Sequence, residues 1–78
     1  MTRSEFDRAV ADEFGVTGGR TLVRDLVMRA LGGVTAQEAL SRGDAPAVVW
    51  KALCDEMDVA GPRRYGVGIA KPPEGAPA

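Results

Sequence analysis

Apolar residues recur at helical spacing along this chain, and four helices follow from their pattern. Phe6, Val10 and Phe14 stand four apart and share one face of a first helix, which Ser4 and Asp7 open and Gly15 ends. Gly18 and Gly19 read as a turn, since each would cost about 1 kcal/mol inside a helix. A second helix over 20–31 turns Leu22, Val23, Leu26, Val27 and Ala30 inward and Arg24, Asp25 and Arg29 outward. Asp25 and Arg29 are spaced for an i,i+4 ion pair worth about 0.3 kcal/mol. Met28 falls on the polar side of this helix and is expected at the surface, beside arginine.

The stretch LGGVTAQEAL stops one helix and starts the next. Gly32 can take the left-handed conformation that closes a helix. Thr35 and Glu38, three apart, make a capping box, with Val34 placed as its hydrophobic staple. The third helix, from Ala36 to about Arg42, is barely two turns long and must be held by packing. Asp44 caps a fourth helix, which tolerates Pro46 in its first turn and ends near Asp58. Its apolar arc spans about 200°, wider than a helix resting on a surface needs. Leu53 and Met57 are therefore expected at the centre of the core, with Trp50 at its edge beneath the third helix or the start of the tail.

The predicted fold is all-α: a compact bundle of four helices, the third very short, over residues 1–60. Residues 61–78 hold four glycines and four prolines and read as a disordered, flexible tail. At 78 residues the chain makes one small domain with a marginal core. Its single cysteine, Cys54, and its lack of histidine leave no internal disulfide and no Cys/His zinc site. A lone thiol and a charged N-terminus place the protein in the cytoplasm, with no membrane span. The overall net charge of −1 divides unevenly, with −3 over residues 35–60 and +2 over residues 61–78. An acidic body matches a phosphate backbone poorly.

Charge decides the reading of residues 36–57, which have the outline of a helix-turn-helix through Ala39, Gly43 and Val49. A DNA-reading unit needs Arg, Lys, Asn or Gln at the start of its second helix, and here that start is Asp44-Ala45-Pro46-Ala47-Val48. Scaffold is the reading these residues favour. Cys54 lies late in a helix beside Asp55 and Glu56, with no base to activate it, and reads as a buried structural thiol. Asp55, Glu56 and Asp58 point in different directions and do not converge on a metal. Their place at a helix C-terminus is electrostatically unfavourable. The paired glycines carry no phosphate-binding pattern.

A family resemblance rests on Glu5-Phe6, Phe14-Gly15, Arg24-Asp25, LGG before Thr35, the EAL of Glu38 to Leu40, Gly43 and the VWKALC of Val49 to Cys54. In these the chain resembles a family of short actinobacterial proteins catalogued only as a domain of unknown function. Three departures stand out: Leu26 where many members have histidine, Gly18-Gly19 in place of a stretch that often holds an aromatic, and Ala60 for a frequent proline. The resemblance implies a small helical protein and brings no activity, cofactor or catalytic residue with it.

The function expected from all this is non-enzymatic: an interaction or regulatory module that binds another protein, with no cofactor and no metal. Arg24, Met28, Trp50, Arg63 and Arg64 are the candidate partner contacts. The alternative is a nucleic-acid-associated protein that uses the helix-turn-helix-like unit at 36–57, supported by Arg63 and Arg64.

Overall fold

A computed structural model describes residues 1–64. Its elements run α1 (Arg3–Phe14), α2 (Val16–Asp25), β1 (Val27–Met28), a 3₁₀ turn (Arg29–Leu31), β2 (Val34–Thr35), α3 (Ala36–Ser41), α4 (Pro46–Glu56) and α5 (Gly61–Arg64). The described residues thus form five α-helices and a two-stranded ribbon, where the apolar pattern predicts four helices and no strand.

The first helix lies where its apolar spacing puts it, but it is capped two residues earlier than expected. Thr2, not Ser4, is the N-cap, and it forms a reciprocal capping box with Glu5: Glu5 N–H donates to Thr2 Oγ1 at 3.1 Å, and Thr2 N–H donates to Glu5 Oε1 at 2.8 Å. Gly15, at φ +84°, is the only residue between α1 and α2, and this left-handed position suits glycine.

The expected turn at Gly18-Gly19 is instead part of the first turn of α2. Gly19 is buried there because α2 lies almost on α1: a Cβ at this position would stand 2.6 Å from Val10 Cγ1 and 3.1 Å from the Val10 carbonyl oxygen. Close packing of two backbones outweighs the helix penalty of glycine. Gly19→Ala is accordingly expected to destabilise the protein by about 1–3 kcal/mol through overpacking, whereas Gly18→Ala, with open space around it, should be neutral or stabilising. Urea midpoints of the two variants make the comparison.

Where the spacing predicts helix over 20–31, α2 ends at Asp25 and the chain turns extended at Leu26. Val27 pairs with Thr35 and Met28 with Val34 in an antiparallel ribbon, closed by Gly32 and Gly33 at φ +82° and +84°. Strand alternation replaces helical phase, so Val27 points to solvent and Met28 into the core with no exposed surface. The expectation of an exposed Met28 is corrected for that reason. The Asp25–Arg29 pair is likewise replaced by a bidentate Arg24–Asp25 pair, since residues 25 and 29 no longer share a helix.

The joint around residue 35 follows the sequence closely. Thr35 caps α3, its Oγ1 accepting from Glu38 N–H at 3.1 Å while Thr35 N–H donates to Glu38 Oε1 at 3.3 Å. Gly43, at φ +104°, ends α3: its N–H donates to the Leu40 carbonyl and that of Asp44 to the Ala39 carbonyl. Asp44 does not cap α4; Ala45 holds that place, with Pro46 first in the helix. Asp44 accepts from Arg42, whose Nη2 also donates to the Leu31 carbonyl at 2.8 Å and ties this joint to the 3₁₀ turn.

Val49, Trp50, Ala52, Leu53 and Cys54 of α4 are buried, more than any other helix contributes to the core. They meet Phe6, Ala9 and Val10 of α1, Met28, Leu31, Ala36, Ala39 and Val59. Met57, expected at the centre, is 40% exposed because α4 stops at Glu56 and Met57 only caps it. Asp58 then takes φ +54°, so that Val59 N–H donates to the Cys54 carbonyl at 2.9 Å and Val59 folds back into the core. The flexible tail predicted from residue 61 begins instead with a helical turn, α5; the rest of that expectation, residues 65–78, lies outside the described residues.

Candidate functional site

Of the five residues proposed as contacts, three are held inward by the fold. Met28 is buried in the ribbon. Trp50 is 3% exposed and lies edge-on to Phe6 and Phe14, with ring centroids 6.4 and 6.3 Å away. Its indole N–H donates to the Arg64 carbonyl at 3.0 Å, so the start of the tail covers it, one of the two covers expected. The Arg64 side chain is a clasp: Nε donates to the Val59 carbonyl at 2.8 Å, Nη2 to the Cys54 carbonyl at 3.4 Å, and Nη1 to Asp55. A cation therefore stands at the C-terminus of α4 and offsets the acidic residues there. Lys51, and then Arg64, hold the Asp55 carboxyl below the usual carboxylate range. Arg63 is exposed, but its Nη2 lies 2.8 Å from the Glu13 carboxylate on α1.

Cys54 sits in this interior, and burial pushes its thiol up to about 11, beyond what the Arg64 charge takes back. Thiolate is the reactive form, so the native protein should leave an aromatic disulfide reagent unreduced at pH 8 and react only as it unfolds. Rapid stoichiometric release of the chromophore from folded protein would contradict this.

Arg24 opens onto a concave surface. The groove between α1 and α2, closed at one side by Gln37 of α3, encloses about 510 Å³. Val10 and Ala11 of α1 and Val16 and Val23 of α2 supply its apolar lining; Arg3, Asp7, Arg20 and Arg24 supply its polar groups. Val16, Arg20 and Arg24 fall four apart on one face of α2, one turn above another. Val16 is 65% exposed. Arg3 Nε pairs with Asp7 at 3.1 Å. Arg24 donates from Nε and Nη2 to the two oxygens of Asp25, both at 2.9 Å, which draws the Asp25 carboxyl down and leaves the Nη1 end of the guanidinium without a partner among the described residues. Arg20 makes no ion pair among the described residues. Two arginines one helical turn apart repel by a few tenths of a kcal/mol, a cost the fold does not require.

Arg3, Val16 and Arg20 were not among the expected contacts. The signal for two of them was the four-residue spacing of Val16, Arg20 and Arg24, visible only once α2 is begun at Val16 rather than at Arg20. The helix-turn-helix outline persists in α3 and α4, but α4 begins with Pro46, Ala47 and Val48, and Val48 is exposed there. Among the described residues no His, Cys, Asp or Glu cluster has the geometry to hold a metal, and no helix is long and apolar enough to cross a membrane.

The sequence profile of a family described as "Protein of unknown function (DUF3046)" matches residues 1–62, which takes in every element up to the start of α5. No curated protein and no solved structure matches the chain.

Proposed function

The chain belongs to the DUF3046 family, and from its geometry we propose that it is a cytoplasmic, non-catalytic interaction module that binds another protein through the groove between α1 and α2. One observation carries this reading: an apolar lining, with Val16 exposed on it, is rimmed by guanidinium groups whose hydrogen bonds the described residues do not use up. Arginine is enriched in protein contacts, and the exposed apolar lining beside it gives a partner surface to bury. The remaining chemistry supports a binding role over a catalytic one. The thiol is buried and protonated, Asp25, Asp44 and Asp55 are engaged by cations, and the groove brings together no nucleophile and base.

The test is paired capture from native cytoplasm with the full chain and with its Val16→Glu variant, together with titration of duplex DNA at low salt. Val16 opens α2 and is exposed, so an acidic residue there suits the helix dipole and leaves the fold intact. The groove reading predicts a captured protein that the variant loses, and no DNA binding. Capture unaffected by Val16→Glu overturns the groove as the contact, and sequence-dependent DNA binding overturns the module in favour of a nucleic-acid partner.

A further inference from the structure

Resting on that reading of the groove, we infer that its occupant is an acidic amphipathic segment of the partner protein, which sets an aliphatic side chain against Val16 and carboxylates against Arg20 and Arg24. Charge complementarity carries the choice. Three of the four charged residues lining the groove are arginines, in a chain whose net charge is −1. Guanidinium offers a planar fork that matches a carboxylate, and Arg20 together with the Nη1 end of Arg24 has that fork available. Arg20 and Arg24 stand four residues apart, a rise of about 6 Å, which is also the separation of two glutamates four apart on a partner helix.

The layout gives the occupant a direction. On both helices the arginines of the groove lie away from the Gly15 joint, Arg3 beyond Ala11 on α1 and Arg20 and Arg24 beyond Val16 on α2, with Val23 apolar among the latter. The apolar end of the ligand therefore lies at the joint and its carboxylates toward Arg3 and Arg24. A continuous phosphate backbone fits less well, because Asp7 lies in the groove and Asp25 stands beside Arg24. A basic segment is repelled by the three arginines.

The experiment uses the full chain and two labelled helical peptides identical except at two positions four apart, Glu in one and Lys in the other, each with leucine one turn beyond. Fluorescence anisotropy at low and moderate salt reads the binding. The acidic peptide should bind saturably and weaken with salt, and the lysine peptide should not bind. Arg20→Glu should weaken the acidic peptide by about tenfold or more. Arg29→Glu, at an exposed arginine of the 3₁₀ turn outside the groove, should leave binding unchanged. Circular dichroism confirms that both variants keep their helix content. Equal binding of both peptides, no binding of the acidic one, or indifference to Arg20→Glu overturns the inference. Should the acidic peptide fail while Val16→Glu still abolishes capture of a partner, the groove stands and its acidic specificity is what falls. A duplex DNA bound through Arg20 in place of the peptide overturns both.

Discussion

Replacing Trp50 by alanine is expected to cost about 3–5 kcal/mol, a large share of the stability available to a domain of this size. The substitution removes the indole from its edge contacts with Phe6 and Phe14 and opens a cavity between α1 and α4. It also leaves the Arg64 carbonyl without its donor, so α5 loses one of its anchors to the rest of the fold. Trp50→Phe separates the two effects. It keeps most of the buried ring, loses the N–H bond, and should cost about 1–2 kcal/mol. Urea unfolding followed by circular dichroism measures both. A cost below about 1 kcal/mol for the alanine variant would show that the tryptophan is not the closure of the core that its 3% exposure implies.

Leu53→Ala carries the second large effect, about 2–5 kcal/mol. Leu53 has no exposed surface and lies on the face of α4 that meets α1 and the ribbon. Its neighbours Val49 and Cys54 are equally closed, so the site has little freedom to collapse around a smaller side chain. Met57→Ala is the control. Leu53 and Met57 stand four apart and look alike by apolar spacing, yet Met57 is 40% exposed and its truncation should cost under about 1 kcal/mol. Equal losses in the two variants would contradict the end of α4 at Glu56.

Local signals in the sequence carried the elements that rest on local physics. The Thr35–Glu38 box, the Gly43 stop and the apolar faces of α1 and α4 involve partners within a few residues, so spacing alone reveals them. The failures sit where a distant backbone decides. Gly19 is helical because Val10 presses on it from another helix. Leu22, Leu26 and Ala30 fit a helix by spacing, yet pairing between β1 and β2 takes Val27 and Met28 out of helical phase. Arg64 looked like tail and is a clasp, because the groups it binds, at Cys54, Asp55 and Val59, converge only after α4 has ended. The same long-range dependence hid most of the candidate site. Arg24 was legible as an exposed cation, but a groove between two helices has no local signature until both helices have their true ends.

The central claim is that the α1–α2 groove, and not the helix pair at α3 and α4, meets the partner. A photo-reactive amino acid placed in the living cell at position 17, and in a second experiment at position 51, tests it most directly. Both side chains are exposed; Thr17 follows Val16 at the rim of the groove and replaces none of its lining, and Lys51 lies outside the groove. The account predicts a protein adduct from position 17 that Val16→Glu abolishes, and none from position 51. A nucleic-acid adduct, or a protein adduct from position 51 alone, would contradict it.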